Sequence, residues 1–87
     1  MKGIYRFSWD VPRGGEICGI FTAESSDIEG IIDKEIYLGE VLGKHSDVSG
    51  VVEKDEIELI TEDPFLVSEF DRLGMETGYN PLDYYES

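Results

Sequence analysis

Between residues 4 and 9 the chain alternates, with Tyr5, Phe7 and Trp9 on one face and Ile4, Arg6 and Ser8 on the other. That period of two is the mark of a strand with one buried face. Val11-Pro12-Arg13-Gly14-Gly15 carries turn chemistry, because Pro12 fixes its own φ and glycines accept positive φ. Alternation resumes over Glu16 to Ala23, where Ile17, Gly19, Phe21 and Ala23 oppose Cys18, Ile20 and Thr22. The two runs are expected to pair as an antiparallel hairpin with a slightly long loop. Ser26-Asp27-Ile28-Glu29 has the capping-box spacing, and Ile28, Ile31 and Ile32 follow at helical intervals. A short helix over 26–34 is predicted despite Gly30. From Glu35 to Leu42 the period returns to two, with Ile36, Leu38 and Leu42 on one side and Tyr37 and Val41 on the other, a third strand.

Residues 43–50 are polar and glycine-bounded and read as a loop, with Val51-Val52 as a brief extended segment. A fourth strand is predicted over 56–61, with Glu56, Glu58 and Ile60 on one face and Ile57 and Leu59 on the opposite one. Asp63 is placed to cap a second helix and Pro64 to open it, where a missing amide hydrogen costs nothing. Leu66, Val67, Phe70 and Leu73 form its apolar stripe, and Gly74 its C-terminal cap. On this reading Phe70 is buried, and its truncation to alanine costs about 3–5 kcal/mol. The tail cannot continue a helix through Asn80-Pro81, and its tyrosines are expected to close the core. The order β-β-α-β-(β)-β-α predicts an α+β fold: a small antiparallel sheet of about four strands with two helices on one face. A mixed sheet is the alternative, with helix 26–34 as its crossover. The 87 residues are expected to form a single domain over 1–87.

Charge changes this picture more than composition does. Twenty acidic residues against seven basic ones leave a net −13. Such an excess disfavours direct nucleic-acid binding and adhesion to anionic membrane, both of which need clustered Lys and Arg. The imbalance is uneven: residues 1–44 hold five basic and eight acidic groups, whereas 45–87 hold two and twelve. Glu53, Asp55, Glu56, Glu58, Glu62 and Asp63 fall within eleven residues, offset only by Lys54. A solvated face explains such a run. The sharper expectation is a face that docks on a basic groove by imitating an array of phosphates, with Glu53, Asp55, Glu56, Glu58 and Glu62 as its contacts.

Catalytic chemistry is hard to assemble from these residues. One Cys and one His cannot build a Cys/His zinc site, and Cys18 lies in an apolar strand pattern where a thiol packs as a small hydrophobe. His45, Ser46 and Asp47 are consecutive, whereas triad members come from separate elements. Gly43-Lys44 fails the phosphate-loop spacing, since three residues separate Gly39 from Gly43 and His45 follows Lys44. No cofactor is therefore expected, and the chain reads as a non-enzyme. The Gly43–Ser46 loop supports an alternative, a binder of a small anionic or nucleotide-like ligand: Lys44, His45 and Ser46 would donate hydrogen bonds, with Tyr79 or Tyr84 stacking nearby. The start, Met1 to Arg6, has no apolar run of signal-peptide length, and a cytoplasmic location is expected. Mutual repulsion at −13 favours a monomer at low salt.

Leu38-Gly39-Glu40-Val41-Leu42-Gly43-Lys44-His45-Ser46-Asp47-Val48 and Gly78-Tyr79-Asn80-Pro81-Leu82-Asp83-Tyr84 resemble segments of small, acidic phage and bacterial proteins. The whole chain is similar in type to phage counter-defence proteins, a class of nucleic-acid mimics, protein-surface blockers and nucleotide sponges. The resemblance implies a binding protein rather than an enzyme; with the acidic C-terminal half it gives the expectation of a non-enzymatic inhibitor that masks the basic surface of a nucleic-acid-binding protein in the host cytoplasm.

Overall fold

The computed structural model describes residues 1–11, 15–39 and 48–85. Two long strands, β1 (Lys2–Val11) and β2 (Gly15–Glu24), pair antiparallel in unbroken register from Lys2 opposite Glu24 to Val11 opposite Gly15. β5 (Ile57–Thr61) joins the outer side of β1, and the two-residue β6 (Thr77–Gly78) joins the outer side of β2. All three pairings are antiparallel, so the mixed-sheet alternative falls away. β3 (Glu35–Gly39) and β4 (Val48–Val51) form a separate antiparallel pair. The fold is α+β, with helices α1 (Ser25–Ile31) and α2 (Pro64–Leu73). Val48 to Gly50, read as loop from their polarity, are strand because Val48 is buried and β3 supplies the pairing.

Alternation in β1 and β2 sorts the side chains as their sequence requires. Tyr5, Phe7, Trp9, Ile17, Phe21 and Ala23 are buried on one face and join Ile28, Ile31, Ile36, Leu38, Val48 and Val52 in one core. That face is covered by α1, by the β3–β4 pair and by the C-terminal 3-10 turn Pro81–Tyr84. Aromatic contacts stiffen it: the rings of Phe7 and Trp9 lie 5.3 Å apart and those of Tyr5 and Phe21 6.3 Å apart.

Both helices were expected on this face, but α2 lies on the other. Asp71 of α2 accepts hydrogen bonds from Lys2 Nζ (2.6 Å) and Thr22 Oγ1 (2.7 Å), two side chains on the face opposite Tyr5 and Phe21. Asp63 caps the helix as expected, accepting from the amides of Phe65 (2.9 Å) and Leu66 (3.4 Å), and Gly74 ends it at φ 63°. The stripe it was expected to bury is largely in solvent. Only Val67 is buried, Phe70 is half-buried, and Leu66 and Leu73 are 48% and 58% exposed. The reason is that Asp71 turns toward the sheet, which rotates the stripe sideways. Phe70→Ala is therefore expected to cost about 1–2 kcal/mol, roughly half the value for a fully buried ring, as a shift in urea midpoint at unchanged m-value.

The Asp71 anchor carries a pH signature. Hydrogen bonds from Lys2 and then Thr22 hold the Asp71 carboxyl below its ordinary 3.8, and the same contact raises Lys2 above 10.5. A carboxyl depressed on folding stabilises above its unfolded value and loses that contribution as pH falls through the folded one. A raised lysine contributes below its unfolded value and loses it as pH climbs through the folded one. Asp71→Asn should lower the urea midpoint near neutrality, modestly because the pair is exposed, and the difference from wild type should close as pH falls through the lowered value of the Asp71 carboxyl.

Three local expectations are corrected. α1 begins one residue earlier and ends at Ile31, and its N-cap is Glu24 with no side-chain cap bond, so Ser26 lies inside the helix and the Ser26–Glu29 capping box does not form. The chain turns after it at Asp33, whose φ is 67° and whose amide donates to the Val52 carbonyl at 2.7 Å. Cys18 is exposed, because its position in the β2 alternation points to the α2 side, where no element among the described residues covers it. Glu56 precedes β5 in a 3-10 turn, Lys54–Glu56, and a register shift at Ile4/Tyr5 interrupts the alternation near Ile60.

Candidate protein-binding edge

The acidic run wraps the outer edge of the sheet. Glu53, Asp55 and Glu56 stand in and before the 3-10 turn that leads into β5, Glu58 is within β5, and Glu62 is where the chain leaves it. Glu53, Asp55 and Glu58 are exposed; Glu56 and Glu62 are half-exposed. They do not share one face. Glu53 and Glu56 border a shallow depression with Trp9, Asp10 and β4, Glu58 is paired across the strands with Arg6, and Glu62 lies beside Lys2 and Pro64. Glu56 is also structural: its Oε1 accepts the Glu53 amide at 2.7 Å and holds the turn.

β5 pairs with β1 alone, and among the described residues no strand adds to its other side. Every second residue of such an edge turns its N–H and C=O outward. Leu59 and Ile60 on this strand are 46% and 47% exposed. Alongside runs a groove of about 570 Å³ between α1 and β5, lined by Tyr5, Ile28, Glu29, Ile32, Lys54, Ile57 and Leu59. Tyr5 and Leu59 are direct cross-strand partners, so the groove lies on the core face of the edge strand. Burial pushes the Tyr5 phenol above its ordinary 10.0, and the carboxylates of Glu62, Glu29 and Glu24 push it the same way, which keeps the hydroxyl protonated. The sequence marked the carboxylates but missed the groove. Period-two alternation at Ile57 and Leu59 identifies a strand, but only the crossing of α1 makes an apolar trough beside it.

The alternative ligand site is not assembled by the described residues. Lys44, His45 and Ser46 lie outside them. Tyr79 and Tyr84 are half-buried, their rings 6.2 Å apart, and both pack against the core with Leu82 and Tyr85. Asn80 caps the following turn by accepting the Leu82 amide at 3.0 Å. These tyrosines close the fold.

Among the described residues no group of three or more His, Cys, Asp or Glu side chains is placed to hold a metal ion, and no helix is long and apolar enough to cross a membrane. Comparison with known proteins finds no matching family, no matching curated protein and no matching solved structure.

Proposed function

We propose that the chain is a non-enzymatic binding protein, of the phage counter-defence inhibitor type, that masks a basic, nucleic-acid-binding surface of a protein partner in the host cytoplasm. The observation that carries this reading is the open edge of β5, ringed by Glu53, Asp55, Glu56, Glu58 and Glu62. Carboxylates held on a rigid sheet edge present charge with little ordering cost on association, and their field draws a cationic surface from beyond contact distance. The protein's own overall charge repels a second copy, so it acts as a monomer at low salt.

The test reverses charge without dismantling the turn. Among the described residues Asp55 and Glu58 make no side-chain bond that shapes the edge, whereas Glu56 caps the Glu53 amide and is left in place. Asp55→Lys with Glu58→Lys should slow association with a cationic partner captured from host lysate by about tenfold or more at low salt, chiefly in the on-rate. The wild-type rate should itself fall steeply with added salt. Binding indifferent to both the reversals and the salt would overturn the reading.

A further inference from the structure

We propose that the partner engages by strand addition: an extended basic segment pairs with the free edge of β5, setting alternate apolar side chains in the α1–β5 groove and the intervening Lys or Arg beside Glu58. This rests on the reading of the chain as a binder of basic proteins and specifies how it binds. Three independent features converge on β5 and its flanks. The edge is open among the described residues, so its outward amides and carbonyls are available to a fifth strand. The core-side face of the edge opens on a groove lined mainly by Tyr5, Ile28, Ile32, Ile57 and Leu59, with the charged Glu29 and Lys54 also on its lining. The opposite face carries Glu58, with Asp55 and Glu62 at the two ends.

Strand geometry converts this arrangement into a ligand pattern. Successive side chains of an added strand point to opposite faces. A segment alternating apolar and cationic residues therefore satisfies both faces in one register, and a one-residue slip satisfies neither. The charge selects against the other candidate occupant, a second copy of this chain. Two β5 edges paired antiparallel would set their acidic groups against each other, with −13 on each molecule.

The test uses three synthetic peptides of identical composition, observed by backbone amide NMR and calorimetry on the full chain. One alternates Val and Lys, one places the same residues in two blocks, and one alternates but is N-methylated at every second amide. The alternating peptide is expected to bind at least tenfold more tightly than the block peptide and than the version methylated on its β5-facing amides. Amide perturbations should be confined to β5, α1 and the 54–56 turn. Leu59→Lys, which puts a cation in the groove, should weaken the alternating peptide by about tenfold, and the methylated peptide tests the main-chain pairing without altering the protein. Equal binding of all three peptides that Asp55→Lys and Glu58→Lys abolish would overturn strand addition while leaving the acidic-surface reading intact. Perturbations centred on Phe65, Leu66 and Leu73 would overturn it in favour of the exposed side of α2. Absence of binding by any of the peptides at millimolar concentration would overturn strand addition, and insensitivity of the lysate partner to the charge reversals would separately remove the reading beneath it.

Discussion

Phe7→Ala is expected to leave the chain largely unfolded near physiological temperature. Phe7 is fully buried at the centre of the sheet, opposite Gly19 on β2 and Ile57 on β5, with the Trp9 ring 5.3 Å away. Truncating such a ring costs about 3–5 kcal/mol, because close-packed neighbours on two strands cannot collapse into the space. A domain of this size has only about 5–10 kcal/mol in total. Urea titration followed by the single Trp9 reads the result directly. A variant that kept most of the wild-type midpoint would mean that Phe7 is not at the centre of the core.

Gly19→Ala is the second large effect, and it acts on the tail. Gly19 and Gly78 face each other across β2 and β6, where the returning chain pairs with β2 at backbone distance. A Cβ at Gly19 would lie 2.5 Å from the Tyr79 nitrogen and 2.8 Å from its carbonyl carbon, and backbone cannot move aside as a flexible side-chain end can. Gly78 is at φ 70°, so it resists substitution for a second reason. The clash is expected to cost about 1–3 kcal/mol and to break β6 away from β2. That release would take with it the cover that Pro81, Leu82 and Tyr84 give the core. The Tyr79 amide, which donates to the Cys18 carbonyl at 3.1 Å, should then exchange rapidly with solvent while the β1–β2 amides stay protected. Gly30→Ala provides the contrast: a Cβ there meets nothing within 4 Å, and the change should stabilise α1 by about 0.5–1 kcal/mol. Equal protection of Tyr79 in wild type and Gly19→Ala would show that the tail does not depend on this pairing.

Local pattern was enough for the α+β class, the β1–β2 hairpin with its face assignment, and the limits of α2. Each is dictated within a few residues: period two at Tyr5-Phe7-Trp9 and Ile17-Gly19-Phe21, and Asp63-Pro64 and Gly74 supplying the two caps. The acidic run was also legible, since charge is additive along the chain. Tertiary contacts decided the rest. The Lys2–Asp71–Thr22 contacts put α2 on the far face of the sheet, which leaves Leu66 and Leu73 in solvent although their spacing reads as core. Pairing with β3 drew Val48–Gly50 out of a polar loop into a strand, because an amide partner outweighs local propensity. Cys18 is on the α2 side of β2 and is exposed there. The groove beside β5 needs Tyr5, Ile28, Ile32 and Leu59, contributed by β1, α1, the turn after α1 and β5. A sequence can state that each is apolar. Only the fold states that they meet at an edge no other described strand has closed.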